Sequence, residues 1–387
     1  MFKILLLLIP FAACQEVEFS TRPNNVSILL LYFTQRSTET ATVLSPFGIW
    51  SLMAGISYGA RGDTYREILR AFLLFTDKER FSTNYKTLID TVFKTPTSGV
   101  DISNNNFIFI DGNFNYAMER DYKNFLAQNL GSLVLPFDFE NLTKTTDIAN
   151  RLVSVMSRPV TNVYTIEDFR GSSLVMSNIV YFQGVWSLPF NISNTRLESV
   201  NGGEEKINVM YQRGKVPYSH LDSMKASVME LAYGKDGKYC MLIITPDPNV
   251  SLITVYKKFE TITFRDILNK LQNDVNEFGL KEIDIKLPRF RKSSYHYLKK
   301  PLNDMGIYEA FEPQSARFPL IAREPIYIDA IEQKTEFYIS EFGTVAYAST
   351  PGRGNSRQAA QDIAPSNMLL FVLEKTTTTI IFGGIFP

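Results

Sequence analysis

A stretch near the C-terminus, EFGTVAYASTPGRGNSRQAAQDIAPSN, limits the possible folds of this chain more than any other feature. It spans 27 residues, from Glu341 to Asn367, and it contains few large apolar side chains. The runs on either side, Glu336 to Ser340 and Met368 to Leu373, are typical of strands. Loops of this length are uncommon inside compact domains and tend to be functional or disordered. The sequence therefore predicts a long exposed loop between two late strands.

Side-chain size alternates along this stretch. Every member of one parity is small: Thr344, Ala346, Ala348, Thr350, Gly352, Gly354 and Ser356. The other parity includes larger residues, among them Val345, Tyr347, Arg353 and Arg357. Alternate residues of a strand share one face, so a face of small residues can pack closely over whatever lies beneath the sheet. A flexible linker would not show this alternation, but the stretch by itself leaves both interpretations open.

The composition places few other constraints on function. The chain has 387 residues, of which 45% are hydrophobic, and this is enough for a large core. Lys and Arg together number 40, as do Asp and Glu, so nothing in the charge favours nucleic-acid binding. The sequence contains no metal-ligand cluster, no phosphate-binding loop and no dinucleotide fingerprint. We therefore expect no nucleic-acid partner, no metal or other cofactor, and no enzymatic activity.

The N-terminal sequence MFKILLLLIPFAAC is typical of a secretory signal peptide. Lys3 precedes an apolar run from Ile4 to Ala13 that is too short to span a bilayer. Removal of residues 1–14 would leave residues 15–387 as a single secreted domain. A bacterial lipoprotein signal ending at Cys14 is an alternative interpretation. We expect an extracellular protein without a membrane-spanning segment.

Two further features concern the chain after removal of the signal. Cys240 is then the one remaining cysteine, so an internal disulfide cannot form. Four N-x-[ST] sequons are candidate N-glycosylation sites, and they begin at Asn25, Asn141, Asn191 and Asn249. We expect a monomeric glycoprotein.

The order of predicted elements indicates one mixed α+β domain. Helices dominate the first third: Ser45-Pro46 is a typical helix start, and Thr64 with Glu67 has the pattern of a capping box that opens the next helix. Later apolar runs such as Leu174 to Phe182 predict buried strands.

One short motif suggests a different class of function. Gly55 to Gly59 matches the nucleophile elbow of hydrolases, with Ser57 at its centre. The motif falls within a predicted helix rather than at a strand-to-helix turn, and His220 and His296 are the two histidines available as a base. A hydrolase that uses Ser57 is therefore the less favoured alternative.

Several segments together resemble the serpin family. The segments similar to its motifs are Ser45-Pro46 with Gly59 to Thr64, Ser177 to Trp186, Leu287 to Phe290, Leu302 to Phe311, and Phe382-Gly383-Gly384 with Pro387. The resemblance implies the serpin fold, in which helices surround three β-sheets and a long exposed reactive-centre loop lies near the C-terminus. Residues 341–367 would be the hinge and this loop.

The resemblance also implies roles for individual residues. The hinge and inserting loop would include Glu341, Gly343, Thr344, Ala346, Ala348 and Thr350. The sheet-opening region would include Ser45, Asn178, Trp186 and Gln333. Counting 16 residues on from Glu341 gives Arg357, so the implied reactive bond is Arg357–Gln358. Arg353 would be a competing cleavage site if the register is shifted.

The implied function is inhibition of a protease by a suicide-substrate mechanism. The protease attacks the Arg357 carbonyl and forms an acyl-enzyme, and the cut loop then inserts as a new central strand and carries the protease with it. An arginine at this position suits a pocket with a carboxylate at its base. The implied partner is an Arg-preferring protease, either a trypsin-like serine protease or a papain-like cysteine protease.

Some residues depart from the family pattern. Phe342 is bulky for a hinge, Tyr347 stands where the family prefers Ala, and Pro351 is disfavoured in a central strand because it lacks a backbone donor. Gln333 and Gly48 stand where many serpins have a His and a Ser beneath the sheet. The departures within the loop favour an alternative, which is a non-inhibitory serpin that is cleaved as a substrate or acts as a binding protein.

Overall fold

The computed structural model describes residues 19–38, 40–112, 118–157, 160–172, 174–200, 205–323, 325–328, 331–349 and 367–387. The predicted signal peptide, residues 1–14, lies outside the described residues. So do Thr350, Pro351 and the predicted reactive bond between Arg357 and Gln358.

The described residues form helices mainly in the first half of the chain. The α-helices are α1 (Thr21–Thr38), α2 (Pro46–Gly59), α3 (Gly62–Ala71), α4 (Lys78–Ile89), α5 (Arg120–Asn129), α6 (Leu142–Met156), α7 (Ile166–Phe169), α8 (Leu252–Lys257), α9 (Phe264–Phe278) and α10 (Lys299–Asp304). Short turns of other helix types are Asp90–Lys94, Ile192–Asn194, Lys258–Glu260 and Glu309–Phe311.

Strands occupy much of the rest of the described chain. They are β1 (Thr42–Leu44), β2 (Val100–Asp111), β3 (Ser132–Phe137), β4 (Leu174–Val185), β5 (Arg196–Val200), β6 (Glu205–Val216), β7 (Tyr218–Leu221), β8 (Ala226–Tyr233), β9 (Tyr239–Pro246), β10 (Lys281–Tyr297), β11 (Glu332–Ser340), β12 (Gly343–Ser349), β13 (Met368–Glu374) and β14 (Ile380–Phe386).

The strands form a six-stranded and an eight-stranded array. Their orders are β1-β14-β13-β9-β8-β7 and β3-β2-β4-β12-β11-β10-β6-β5. The long strand β10 pairs with β6 through Lys281 to Arg289 and with β11 through Phe290 to Tyr297. The eight strands are therefore two sheets that share β10, which gives three sheets in all. The α+β class and the three-sheet architecture predicted from the sequence are confirmed.

The main core lies between the sheets and around α2. All residues of α2 are buried, as expected for a helix that is apolar on every side. A second cluster covers the opposite face of β2 and β4, where α6 and α7 pack; it includes Phe109, Val153, Phe169 and Tyr181. We call the two faces of the eight-stranded array the core face and the outer face.

The predicted capping box at Thr64 is wrong. α3 begins at Gly62, so Thr64 lies inside the helix and is buried. Its hydroxyl accepts a hydrogen bond from the backbone N–H of Arg317 at 3.0 Å. The Glu67 carboxylate accepts from the N–H of Tyr308 at 2.8 Å rather than from its own helix N-terminus. Both side chains that a local cap would need are hydrogen-bonded instead to residues far along the chain.

None of the helices in the described part of the chain has both the length and the apolar character needed to cross a membrane.

Candidate functional site

The first part of the predicted exposed loop is a central strand instead. β12 lies between β4 and β11 and pairs antiparallel with both, so that Gly343 is opposite Val185 on one side and Ser340 on the other. The prediction of an exposed loop is therefore wrong for the segment from Glu341 to Ser349. The physical reason is the alternation of small side chains, which lets the segment fit between two strands that are already packed on both faces.

Burial from Thr344 to Ala348 in β12 follows the predicted alternation. Thr344, Ala346 and Ala348 are each 0% exposed and lie on the core face. Val345 and Tyr347 are partly buried and pack against the cluster under α6 and α7 on the outer face. Burial raises the pKa of Tyr347 to about 12, with the nearby Glu336 carboxylate as a smaller cause. Tyr347 is therefore accommodated by the outer face and does not obstruct the strand.

Two glycines permit the close approach of β12 to β4. A Cβ atom on Gly343 would lie 2.0 Å from the carbonyl oxygen of Gly184, a distance that no side chain tolerates. A Cβ atom on Gly184 would lie 2.6 Å from Cδ1 of Tyr233. These two positions bring the backbones together at the end of β12 where the hinge begins.

The turn that precedes β12 is firmly hydrogen-bonded. Glu341 is buried, and its Oε1 accepts from the Thr195 hydroxyl at 2.6 Å and from Nη1 of Arg289 at 3.3 Å. The Glu341 carbonyl accepts from the N–H of Phe190 at 2.9 Å. Phe342 is 60% exposed, so its bulk lies outside the sheet and leaves the strand unobstructed.

Trp186 connects this turn to the six-stranded sheet. Its Nε1 donates to the Ser340 carbonyl at 2.9 Å, and its backbone N–H donates to the Phe342 carbonyl at 2.9 Å. Its indole stacks on the ring of Tyr233, with centroids 4.5 Å apart. The Tyr233 hydroxyl donates to Oγ1 of Thr344 at 2.7 Å. The sequence predicted Trp186 but gave no indication of Tyr233, which lies 47 positions later.

Ser45 and Gln333 lie together near the other end of β12. Gln333 is fully buried; its Oε1 accepts from the Ser45 N–H at 2.8 Å, and its Nε2 donates to the Ser45 carbonyl at 3.0 Å. The Ser45 hydroxyl donates to the Ile381 carbonyl at 2.9 Å. The pair thus joins β11 to β14 and to the start of α2.

Asn178, in β4, forms a separate hydrogen-bond network. Its Nδ2 donates to the Oδ1 atoms of Asn104 and Asn106 at 2.7 and 2.8 Å. Its own Oδ1 is buried and has no hydrogen-bond partner among the described residues. A Cβ atom on Gly48 would lie 2.2 Å from that oxygen, so Asn178 occupies the space that a larger residue at position 48 would need.

The four residues predicted for the sheet-opening region therefore do not form one contact network. Ser45 and Gln333 contact each other, Asn178 contacts two asparagines of β2, and Trp186 lies at the opposite end of β12. The residues that complete the hinge site are Thr195, Arg289 and Tyr233, and sequence reasoning missed all three. They come from three separate parts of the chain, and only the fold brings them together.

The four sequon asparagines are all exposed. Asn25 lies in α1, and Asn141 is the N-cap of α6, where its side chain accepts from the Lys144 N–H at 3.3 Å. Asn191 caps the turn Ile192–Asn194, and Asn249 has a positive φ of 67°.

The alternative of a hydrolase has no support in the geometry. Ser57 is 0% exposed in α2, and its hydroxyl donates to the Ala54 carbonyl at 2.8 Å, so no substrate can reach it. His296 is buried in β10, and burial lowers its pKa to about 4. Within the described ranges, no group of His, Cys, Asp and Glu residues is arranged to hold a metal ion.

Known proteins resemble the chain over most of its length. Residues 23–386 match the family described as serpin (serine protease inhibitor). Antithrombin-III from Homo sapiens is 27% identical over 358 residues, which cover 88% of this chain and 75% of that protein. Leukocyte elastase inhibitor from Bos taurus is 24% identical, over 92% of this chain and 95% of that protein. The solved structure of cleaved Serpin 42Da matches with a TM-score of 0.78 at 20% identity, over 95% of this chain and 97% of that chain.

The order of the motifs, the three sheets with β12 between β4 and β11, and the match over residues 23–386 lead to one conclusion. The chain belongs to the serpin family.

Proposed function

We propose that this protein is a secreted inhibitor that traps a protease by inserting its reactive-centre loop into the eight-stranded array. The observation that carries the proposal is β12 itself. Its small residues already line the core face, and the same parity continues in the sequence through Thr350, Gly352, Gly354 and Ser356. The inhibitory relatives, among them leukocyte elastase inhibitor, support protease inhibition as the general activity.

The proposed reaction begins at Arg357. The nucleophile of the protease attacks the Arg357 carbonyl carbon, the bond to Gln358 breaks, and the new amino group of Gln358 leaves with the C-terminal fragment. The acyl ester or thioester holds Arg357 on the protease. The freed loop then extends β12 between β4 and β11 and carries the protease along the sheet.

Extension of β12 supplies the driving force. Continuation from Ser349 to Ser356 would add seven residues to a strand paired on both sides. At about 0.5–1.5 kcal/mol for each new hydrogen bond, the extension contributes on the order of 10 kcal/mol. This is comparable with the whole stability of a folded protease domain, so it is sufficient to distort an active site. Pro351 removes one donor and therefore weakens the trap without preventing it.

The arginine determines which proteases are trapped. A guanidinium at the cleaved position suits trypsin-like enzymes, which have a carboxylate at the base of the pocket, and papain-like enzymes that accept Arg. Both classes form acyl-enzymes, so the same mechanism serves for either.

The N-terminal pattern and the sequons are the basis for proposing secretion and glycosylation. The exposure of Asn25, Asn141, Asn191 and Asn249 is compatible with glycans at all four positions. A glycosidase that removes N-glycans should lower the apparent mass of protein secreted by a eukaryotic cell.

The decisive experiment mixes the protein with trypsin and, separately, with papain. We expect an SDS-stable complex with trypsin and loss of residual activity for any trapped enzyme; residual activity is needed for papain because a thioester can be lost on the gel. Mass spectrometry should find a new N-terminus at Gln358. Complete cleavage with full recovery of protease activity in both mixtures would overturn the proposal.

One observation favours a second candidate, a non-inhibitory serpin. β12 is inserted although the chain is uncut, so a protein that remains in this state displays a shorter loop than an active inhibitor needs. Such a protein would be cleaved slowly, or as an ordinary substrate, in the same experiment.

A further inference from the structure

We propose that Tyr233 is a positioning residue for loop insertion, and that its hydrogen bond to Thr344 holds the first residue of the loop on the core face. The inference rests on the proposed function, because it assigns a role within the insertion step. It concerns a residue of the six-stranded sheet, outside the loop and outside the strands between which the loop inserts.

Most of the contacts that position Tyr233 lie outside the loop. The end of β8 is joined to the end of β4 by two backbone bonds, from Ser187 N–H to the Ala232 carbonyl and from Gly234 N–H to the Val185 carbonyl, each 2.9 Å long. The Tyr233 ring stacks on Trp186 and meets Phe182 edge to face at 5.0 Å. These contacts orient its hydroxyl towards position 344.

The loop supplies the acceptor. Tyr233 and Thr344 are both 0% exposed, and Thr344 is the one acceptor of the Tyr233 hydroxyl among the described residues. A buried hydroxyl without a partner is unfavourable, so withdrawal of Thr344 costs more than the loss of apolar contacts alone. The bond is already made in the uncut chain, so it holds the start of β12 in the sheet before the rest of the loop extends the strand.

The geometry also limits what can stand at position 344. Gly184 leaves room for the Tyr233 ring, and a Cβ on Gly184 would collide with that ring at 2.6 Å. The side chain at position 344 must fit beside this pair and present an oxygen, which Thr does and the similarly shaped Val does not. The small-residue alternation explains why position 344 is small, and Tyr233 explains why it carries a hydroxyl.

The test compares Tyr233→Phe, Thr344→Val and the double variant with a matched control, Tyr239→Phe. Tyr239 lies opposite Tyr233 in the register of β8 and β9, is also 0% exposed, and donates to the Val92 carbonyl, which does not belong to the loop. Three quantities are measured in the full-length protein. They are the melting midpoint of the intact protein, the number of inhibitor molecules consumed per protease inhibited, and the rate of loop cleavage.

We expect Tyr233→Phe and Thr344→Val each to lower the melting midpoint of the intact protein by about 2 °C and to raise the number of inhibitor molecules consumed per protease inhibited by about two- to fivefold, with the rate of loop cleavage unchanged. The double variant should be no worse than either single variant, because both remove the same bond. Tyr239→Phe should also lower the midpoint of the intact protein, but it should leave the number of inhibitor molecules consumed per protease inhibited unchanged.

Other results would overturn the inference. They are additive effects in the double variant, or a Tyr233→Phe protein that behaves like Tyr239→Phe. If Tyr233→Phe does not fold, Thr344→Val decides by the same readouts. The midpoint measurement needs no inhibited protease. A wild-type protein that traps no protease, but in which the midpoint losses of Tyr233→Phe and Thr344→Val are not additive, would therefore contradict the proposed function and support this inference.

Discussion

The two ends of β12 differ in how completely their buried polar groups are hydrogen-bonded. At the hinge end, the Glu341 carboxylate, the Trp186 indole N–H and the Tyr233 hydroxyl all have partners within 3.3 Å. Near Ser349, buried oxygens of three side chains have no partner among the described residues: Asn178 Oδ1, Ser294 Oγ and Thr335 Oγ1. The register places Thr335 directly opposite Ala348 and Ser294.

This difference indicates how the sheet opens. Separating the strands at the hinge end breaks hydrogen bonds, which water must then replace. Separating them near Ser349 lets water bind oxygens that have no hydrogen-bond partner in the closed sheet. The hinge end is therefore the more firmly held of the two, and the far end is the easier one to part. An inserting loop would be held at its first residue while β4 and β11 separate beyond Ser349.

The largest effect is expected for Thr344→Arg. A charge on the core face beside Tyr233 costs several kcal/mol unless it finds a partner, so the loop cannot insert. The variant should be cleaved as a substrate and release active protease, which titration of protease activity will show.

The control for this change is Phe342→Arg, two positions earlier and 60% exposed, which should inhibit as the wild type does. If Thr344→Arg consumes the same number of inhibitor molecules per trapped protease as the wild type, position 344 does not enter the sheet.

The next effect concerns acid and the far end of β12. His296 is buried opposite Gln333, and burial, with a smaller contribution from Lys292, lowers its pKa from 6.5 to about 4. The unfolded state binds more protons than the folded state between these values, so the unfolding free energy should fall as the pH is lowered from 6.5 towards 4. The loss should reach about 3 kcal/mol, measured by urea denaturation at a series of pH values.

His296→Gln should remove most of this pH dependence, and His220→Gln, at the surface, should preserve it. An unchanged slope in His296→Gln would show that another group is responsible.

A smaller effect is expected at the hinge turn. Glu341→Ala leaves the Arg289 guanidinium and the Thr195 hydroxyl without their shared acceptor, which should lower the unfolding free energy by about 2 kcal/mol. Glu336→Ala is the control, because its ion pair with Arg291 lies on the outer face and should be worth less than about 1 kcal/mol. Equal losses in the two variants would remove the distinction between the hinge and the rest of the sheet.

The smallest effect should come from Gly48→Ala at the far end. The added methyl group would lie 2.2 Å from Asn178 Oδ1, so Asn178 must shift and weaken its bonds to Asn104 and Asn106, at a cost of about 1 kcal/mol. Gly55→Ala in the same helix meets Leu126 at 3.3 Å and should be nearly neutral or stabilising. Thermal denaturation of both variants will test this, and a stabilised Gly48→Ala would mean that Asn178 is not held in place.

The local pattern of the sequence predicted the facing of the side chains in β12, but neither the place of this strand in the uncut sheet nor its surroundings. Alternation of small residues predicted which side chains of Thr344 to Ala348 face the core, because period two is a property of the strand alone. The same kind of local reasoning failed at Thr64, whose hydroxyl is used by Arg317, 253 residues away. Tyr233 and Arg289 were missed for the same reason, since their roles depend on strand register and sheet stacking.

In the proposed mechanism, the alternate small residues from Thr344 to Ser356 enter the sheet as one strand. The most direct measurement is the thermal denaturation midpoint of the wild-type protein before and after a single cut in the loop between Thr350 and Asn367. Because the cut frees the loop to extend β12 between β4 and β11, the cleaved form should melt far above the intact one. A midpoint that does not move after cleavage would contradict loop insertion, since β12 would then end at Ser349 whether or not the loop is cut.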